Sequence, residues 1–213
     1  MKKMMILLAV LFFAPTIWAQ ETFYKGVFVA SENFGADWDM VNIDFRALPE
    51  NTAQHLSIKS LASGFNLRAE YGLSDFIGVG IVGAIDNYYL NENQYIQTVP
   101  SVSDEGIKAT LNLHFINTRP LDLYGGIDYG FSQLDYLMND ASHTIIMGYG
   151  TCGNIHTTGC WHFGQVGVNL SVFASMINYN NLQSTLTPSG EYIANQLKTM
   201  GYGASIGIQY NVF

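Results

Sequence analysis

The chain has 213 residues, 48% of them hydrophobic and only 12% charged, with 17 Asp+Glu against 9 Lys+Arg. That balance excludes a disordered chain, fits an ordinary soluble surface poorly, and suits one domain rather than two. A formal charge of −8 without clustered Lys/Arg excludes a nucleic-acid partner, because phosphate contacts need grouped cations.

The chain opens on Lys2 and Lys3, runs almost wholly apolar from Met4 to Ala14, and then reads Pro15-Thr16-Ile17-Trp18-Ala19 before Gln20. A basic start, a short apolar core and a small residue ahead of a polar one form a secretory signal peptide, residues 1–19, with the mature domain at 20–213. Cleavage leaves 213 − 19 = 194 residues and 9 − 2 = 7 cations against 17 acids, a mature charge of −10. The apolar core is too short for a spanning helix, which needs about 20 apolar residues. The longest later uncharged run, Phe76 to Ile85, matches a membrane strand instead.

Beyond the leader the hydrophobic period is two. Phe65, Leu67, Ala69, Tyr71 and Leu73 oppose Asn66, Arg68, Glu70 and Gly72; Ile107, Ala109, Leu111 and Leu113 oppose Lys108, Thr110, Asn112 and His114. The same alternation runs through Leu121 to Phe131, Val166 to Val172 and Ile206 to Val212. Each such segment is a strand with one apolar face and one polar or glycine face. In a soluble sandwich or a lipocalin-like carrier the apolar face turns inward; in a membrane barrel it meets lipid. Strand-like segments of around ten residues and a second face rich in Gly, Asn, Ser and Gln favour the membrane barrel. So does a gathering of aromatics near segment ends, with Tyr24, Tyr71, Tyr88, Trp161 and Phe213 expected at the membrane interfaces.

Gly72-Leu73-Ser74-Asp75 and Asn117-Thr118-Arg119-Pro120 are tight turns, whereas Ser31–Ser60, Leu90–Gly106 and Leu134–Cys160 read as long polar loops. Placing the short turns in the periplasm predicts eight strands: 22–30, 61–72, 76–89, 107–116, 121–133, 161–173, 176–186 and 200–213. Val41–Phe45 and His143–Tyr149 are strand-like and are expected as hairpin extensions above the membrane. Gly190 to Met200 is expected to form a short helical turn.

The segments Ala69-Glu70-Tyr71-Gly72-Leu73-Ser74-Asp75-Phe76-Ile77-Gly78, Asp122-Leu123-Tyr124-Gly125-Gly126-Ile127-Asp128-Tyr129-Gly130 and Ile206-Gly207-Ile208-Gln209-Tyr210 carry a likeness to a known family. With them the chain resembles the small eight-stranded outer-membrane β-barrels of the outer-membrane protein A and X type. The resemblance implies an all-β, antiparallel up-and-down transmembrane barrel in the outer membrane of a Gram-negative bacterium. Its implied partners are the lipid bilayer, lipopolysaccharide and the barrel-assembly machinery, for which a terminal aromatic such as Phe213 resembles the insertion signal. Val212, Tyr210 and Ile208 alternate on the other parity from that residue.

Cys152 and Cys160 sit close together in an expected exported loop and read as a disulfide. Cys152, His156, Cys160 and His162 also suit zinc by residue type, but their spacing matches no familiar site, so neither a metal nor a cofactor is expected. By parity Lys25, Arg68, Glu70, Asp86, Lys108, His114, Asp122 and Asp128 face the lumen, as a plug of paired charges or as a gated ion path. Asp37, Asp39 and Asp44 read as a solvated acidic loop, and His55 stands alone. A lipid-A-modifying enzyme would need a nucleophilic Ser beside a His at the outer rim; His162, with Ser60 or Ser103, is the nearest approach. The leading expectation is a non-enzymatic barrel whose long loops serve adhesion, recognition of a host or surface ligand, or envelope integrity. A lipid-modifying enzyme and a soluble carrier remain as alternatives.

Overall fold

A computed structural model describes residues 22–45, 55–90, 102–137, 145–184 and 194–212. The leader and Phe213 lie outside these residues. The period-two segments form eight antiparallel strands: β1 (Phe28–Phe45), β2 (His55–Gly72), β3 (Ile77–Leu90), β4 (Val102–Asn117), β5 (Leu121–Leu137), β6 (Ile145–Phe163), β7 (Val166–Ser184) and β8 (Ala194–Val212). Each pairs with its chain neighbours, and β8 returns to β1 to close the barrel. Following the pairing straight across the wall from Phe28 through Tyr71, Val79, Leu111, Ile127, Ile155, Ala174 and Tyr202 leads back to β1 at Trp38, ten residues further on. With that stagger, eight strands lean about 40° from the axis and enclose a lumen just wide enough for side chains.

The short connections 73–76, 118–120 and 164–165 gather at the end of the barrel where β1 starts and β8 finishes. The longer connections 46–54, 91–101, 138–144 and 185–193 join the opposite ends of the strands. In outer-membrane barrels the short turns are periplasmic, and the end that carries them is called the periplasmic end on that pattern.

The outward face is apolar through the lower wall. Phe28, Tyr71, Phe76, Phe115, Trp161 and Tyr210 are exposed around the periplasmic rim, and Trp38, Tyr89, Tyr149 and Tyr202 higher up. From Phe28 to Trp38 the tilted strand climbs about 25 Å, the height of a lipid-facing band. Glu32 departs from the pattern, an outward carboxylate on β1 between Leu67 and Ile208.

Above Trp38 the two faces exchange character. Asn42, Asp44, Lys59, Asn180 and Lys198 now point outward, while Val41, Leu134, Ile177, Tyr179, Leu182 and Leu197 turn in and are buried together. Strands therefore project roughly 15 Å beyond the band, as a wall with polar skin and an apolar core. This exchange corrects the expected strand limits. The apolar residues change parity at Met40–Val41 and Met176–Ile177, where the strands continue without a break. The extensions at 41–45 and 145–149 are the upper parts of β1 and β6, and residues 194–200 belong to β8 rather than to a helical turn.

The expected sixth and seventh strands, 161–173 and 176–186, are replaced by β6 and β7, which meet at a two-residue hairpin where Phe163 pairs with Val166. Gly164 holds φ +79 in the first loop position, the place where a hairpin turn of the II′ kind requires a left-handed residue. The first strand begins at Phe28 rather than at residue 22, because 22–27 crosses the periplasmic mouth.

Candidate functional site

Among the described residues the lumen concentrates the ionisable groups, and it is filled at four levels. At the periplasmic mouth, Phe23 and Val27 are fully buried. Thr22 Oγ1 and the Phe23 N–H both donate to Asn117 Oδ1, at 2.9 and 3.0 Å. Asn117 and Asn211 side-chain amides donate back to the Phe23 and Thr22 carbonyls. The Gly26 N–H donates to the Gly72 carbonyl at 2.8 Å. Phe23 thereby lies flat on the imidazole of His114, ring centroids 3.5 Å apart at 9°.

His114 Nδ1 meets Asp122 Oδ1 at 2.9 Å and its Nε2 meets Glu70 Oε1 at 3.1 Å. With both carboxyl groups ionised, both ring nitrogens must carry protons for the two contacts to be hydrogen bonds. Asn112 donates to the second Glu70 oxygen at 2.7 Å. Gly78 makes this possible: a Cβ there would stand 1.6 Å from Glu70 Oε1.

One level up, Arg68 Nη2 donates to both oxygens of Asp128, at 3.1 and 3.3 Å, and its Nη1 reaches His156 Nε2 at 3.0 Å and Asn112 Oδ1 at 3.2 Å. Guanidinium cannot accept, so His156 accepts at Nε2 and carries its proton on Nδ1, facing Thr158. Lys108 follows, with Asp37, Asp86 and Asp128 around a cavity of about 60 Å³. At the top Tyr179 donates to Asp104 at 2.5 Å and receives Ser132 Oγ at 2.8 Å, beneath the apolar cap.

Of the eight charges expected inside, seven are there. Lys25 is not; it is exposed in the turn ahead of β1, where its backbone N–H binds Asp75. Tyr71 and Trp161 stand in the outer girdle, but Tyr88 is buried in the apolar cap and Tyr24 packs at the mouth beside Phe23. Asp37 and Asp39 are buried in the lumen rather than solvated, and only Asp44 is exposed, paired with His55 at 2.6 Å. His55 therefore does not stand alone.

The disulfide is also corrected. Cys152 and Cys160 are free thiols on the inner face of β6, eight residues or roughly 26 Å apart along one extended strand, far beyond bridging reach. Cys152 belongs to the cap and Cys160 to the base. The same spacing strings out the zinc candidates, and among the described residues no group of three or more His, Cys, Asp or Glu is arranged to hold a metal.

His162 faces the lumen at the periplasmic end, and Ser60 binds main-chain carbonyls in the upper wall, so the two are at opposite ends of the barrel. Sequence reasoning missed Phe23, Asp104 and Tyr179, and considered His156 only as a zinc ligand. Parity marks two of them, since Asp104 shares the phase of Lys108 and His156 that of Arg68's partner Asp128 across the register.

A closed antiparallel barrel, apolar without and ionic within, is a membrane architecture and the reverse of a soluble carrier with a greasy pocket. The chain has the fold of the small eight-stranded outer-membrane β-barrels. A solved structure agrees at the level of fold. The outer membrane protein AlkL, determined in lipid bilayers, is 14% identical with a TM-score of 0.55, covering 93% of this chain and 94% of its own. OprG of Pseudomonas aeruginosa is also 14% identical with a TM-score of 0.49, covering 89% of this chain and 97% of its own. Neisserial surface protein A is 10% identical, with a TM-score of 0.49 over 86% of this chain and 99% of its own. No protein-family model matches the chain, and no curated protein sequence does.

Proposed function

We propose that the protein is a sealed, non-enzymatic outer-membrane barrel that holds a strand wall and four connections above the cell surface for adhesion, recognition or envelope integrity. The observation that carries this reading is the closed lumen. A folded segment across the mouth, two layers of hydrogen-bonded charge and an apolar cap occupy the axis in turn. In such a barrel neither solute passage nor an internal active site has room, and function moves to the outer surface. The enzymatic alternative loses the residue it was built on, because His162 is at the periplasmic end. Residues 1–19 serve as the export leader in this reading, and lipopolysaccharide and the barrel-assembly machinery are its envelope partners.

Purified protein in planar bilayers is expected to show no steady conductance above the bare membrane. A large, persistent single-channel current would overturn the sealed-barrel reading.

A further inference from the structure

The outward cations of the upper wall fall in one sector. Of the seven cations beyond the leader, Arg68 and Lys108 are inside the lumen, and Lys25 and Arg119 are exposed at the periplasmic turns. Lys59 and Lys198 are exposed on the outer face of β2 and β8, the two strands that flank β1. Arg46 lies outside the described residues.

Register places them together. Lys59 pairs with Met40 and Lys198 with Asn42, two positions higher on the same strand. Two strand spacings and that offset put their Cα atoms about 12 Å apart, near one height on the tilted wall. Directly below them the surface is apolar: Trp38 and Tyr202 lie with ring centroids 6.1 Å apart, beside exposed Met40, Met200 and Leu61. Neither lysine has an ion pair among the described residues, and the nearest outward-facing acid on β1, Asp44, is taken by His55 at 2.6 Å. On the opposite side of the barrel an outward group at comparable height is the carboxylate Asp135, so among the described residues the positive sector is confined to β8, β1 and β2.

Two flexible cations poised just above an aromatic belt meet the membrane where acyl chains end and headgroups begin. We infer that Lys59 and Lys198, with Trp38, Met40 and Tyr202 beneath, form a docking surface for a phosphorylated glycolipid of the outer leaflet. The lysines take its phosphate groups, and the apolar shelf takes the first part of its acyl chains. The surface rests on the barrel's place in the membrane and holds whether or not the lumen is sealed.

The test uses the full mature barrel in non-ionic detergent, titrated with bis-phosphorylated lipid A and followed by native mass spectrometry. The double variant Lys59→Ser/Lys198→Ser is expected to weaken binding at least tenfold. Lys25→Ser/Arg119→Ser, which removes the same charge from the periplasmic end, is expected to change it less than twofold. Lipid A stripped of its phosphates is expected to bind the wild type as weakly as it binds the first variant. A shift in gel mobility on boiling confirms that each variant is folded. Equal losses in the two double variants, no loss in the first, or undiminished binding of the dephosphorylated lipid would each overturn the assignment, as would wild-type protein that binds no lipid A.

Discussion

Replacing Arg68 by Met is expected to destabilise the barrel by about 3–5 kcal/mol, the usual consequence of stranding a buried charge. The side chain of Arg68 is 10% exposed and that of Asp128 only 2%, and the guanidinium binds both carboxylate oxygens. It also donates to Thr110, Asn112 and His156, so its removal orphans acceptors on β4, β5 and β6 together. Methionine fills much of the volume but supplies no donor. The double variant Arg68→Met/Asp128→Leu is expected to recover most of the loss, because the unpaired carboxylate goes with its partner. Guanidinium unfolding in detergent micelles, followed by tryptophan fluorescence, measures both. A single variant as stable as wild type would show that the layer is hydrated and open rather than packed.

Phe23→Ala is expected to be comparably damaging, about 3–5 kcal/mol, through the cavity it leaves. The ring is fully buried and covers His114, the residue that links Asp122 to Glu70. Without the ring, water reaches that imidazole, and the segment 22–27 is held by buried Val27 and by hydrogen bonds to Asp75, Asn117, Thr118, Asn211 and Gly72. The same unfolding assay reads the loss. Conductance is expected to stay at baseline, because the Arg68 layer still fills the bore above. A variant that loses stability and also conducts would place the whole seal at the mouth.

Much of this architecture is legible in the alternation of residues. Eight strands follow from parity together with the short turns and long intervals, and the inward placement of Arg68, Glu70, Lys108, His114, Asp122 and Asp128 from parity alone. The strand ends do not, since one strand serves two media. Trp38 and Met40 face lipid on one parity, and Val41 and Ile43 pack inward on the other once the wall leaves the membrane. That change of phase resembles a strand end unless both environments are kept in view.

The β6–β7 hairpin was obscured for a related reason. A two-residue turn pairs Phe163 with Val166 and so reverses which parity faces out, which puts His162 inside and at the wrong end for the outer rim. The cysteines followed the same error, because a segment taken for a loop is an extended strand. Phe23 left no periodic signal: it acts from an irregular segment, and its position depends on Asn117 and His114, more than ninety residues away.

The central claim is that a single strand passes from lipid to water at Trp38–Met40 and exchanges its faces there. Nitroxide labels placed singly along β1 from Phe28 to Asp44, on a background with both native cysteines replaced, measure this in bilayers by collision with oxygen and with a water-soluble nickel chelate. Even positions up to Trp38 are expected to favour oxygen, Asn42 and Asp44 the chelate, and odd positions neither. Chelate access at Ala30 and Phe34, or oxygen preference continuing through Asn42 and Asp44, would contradict the account.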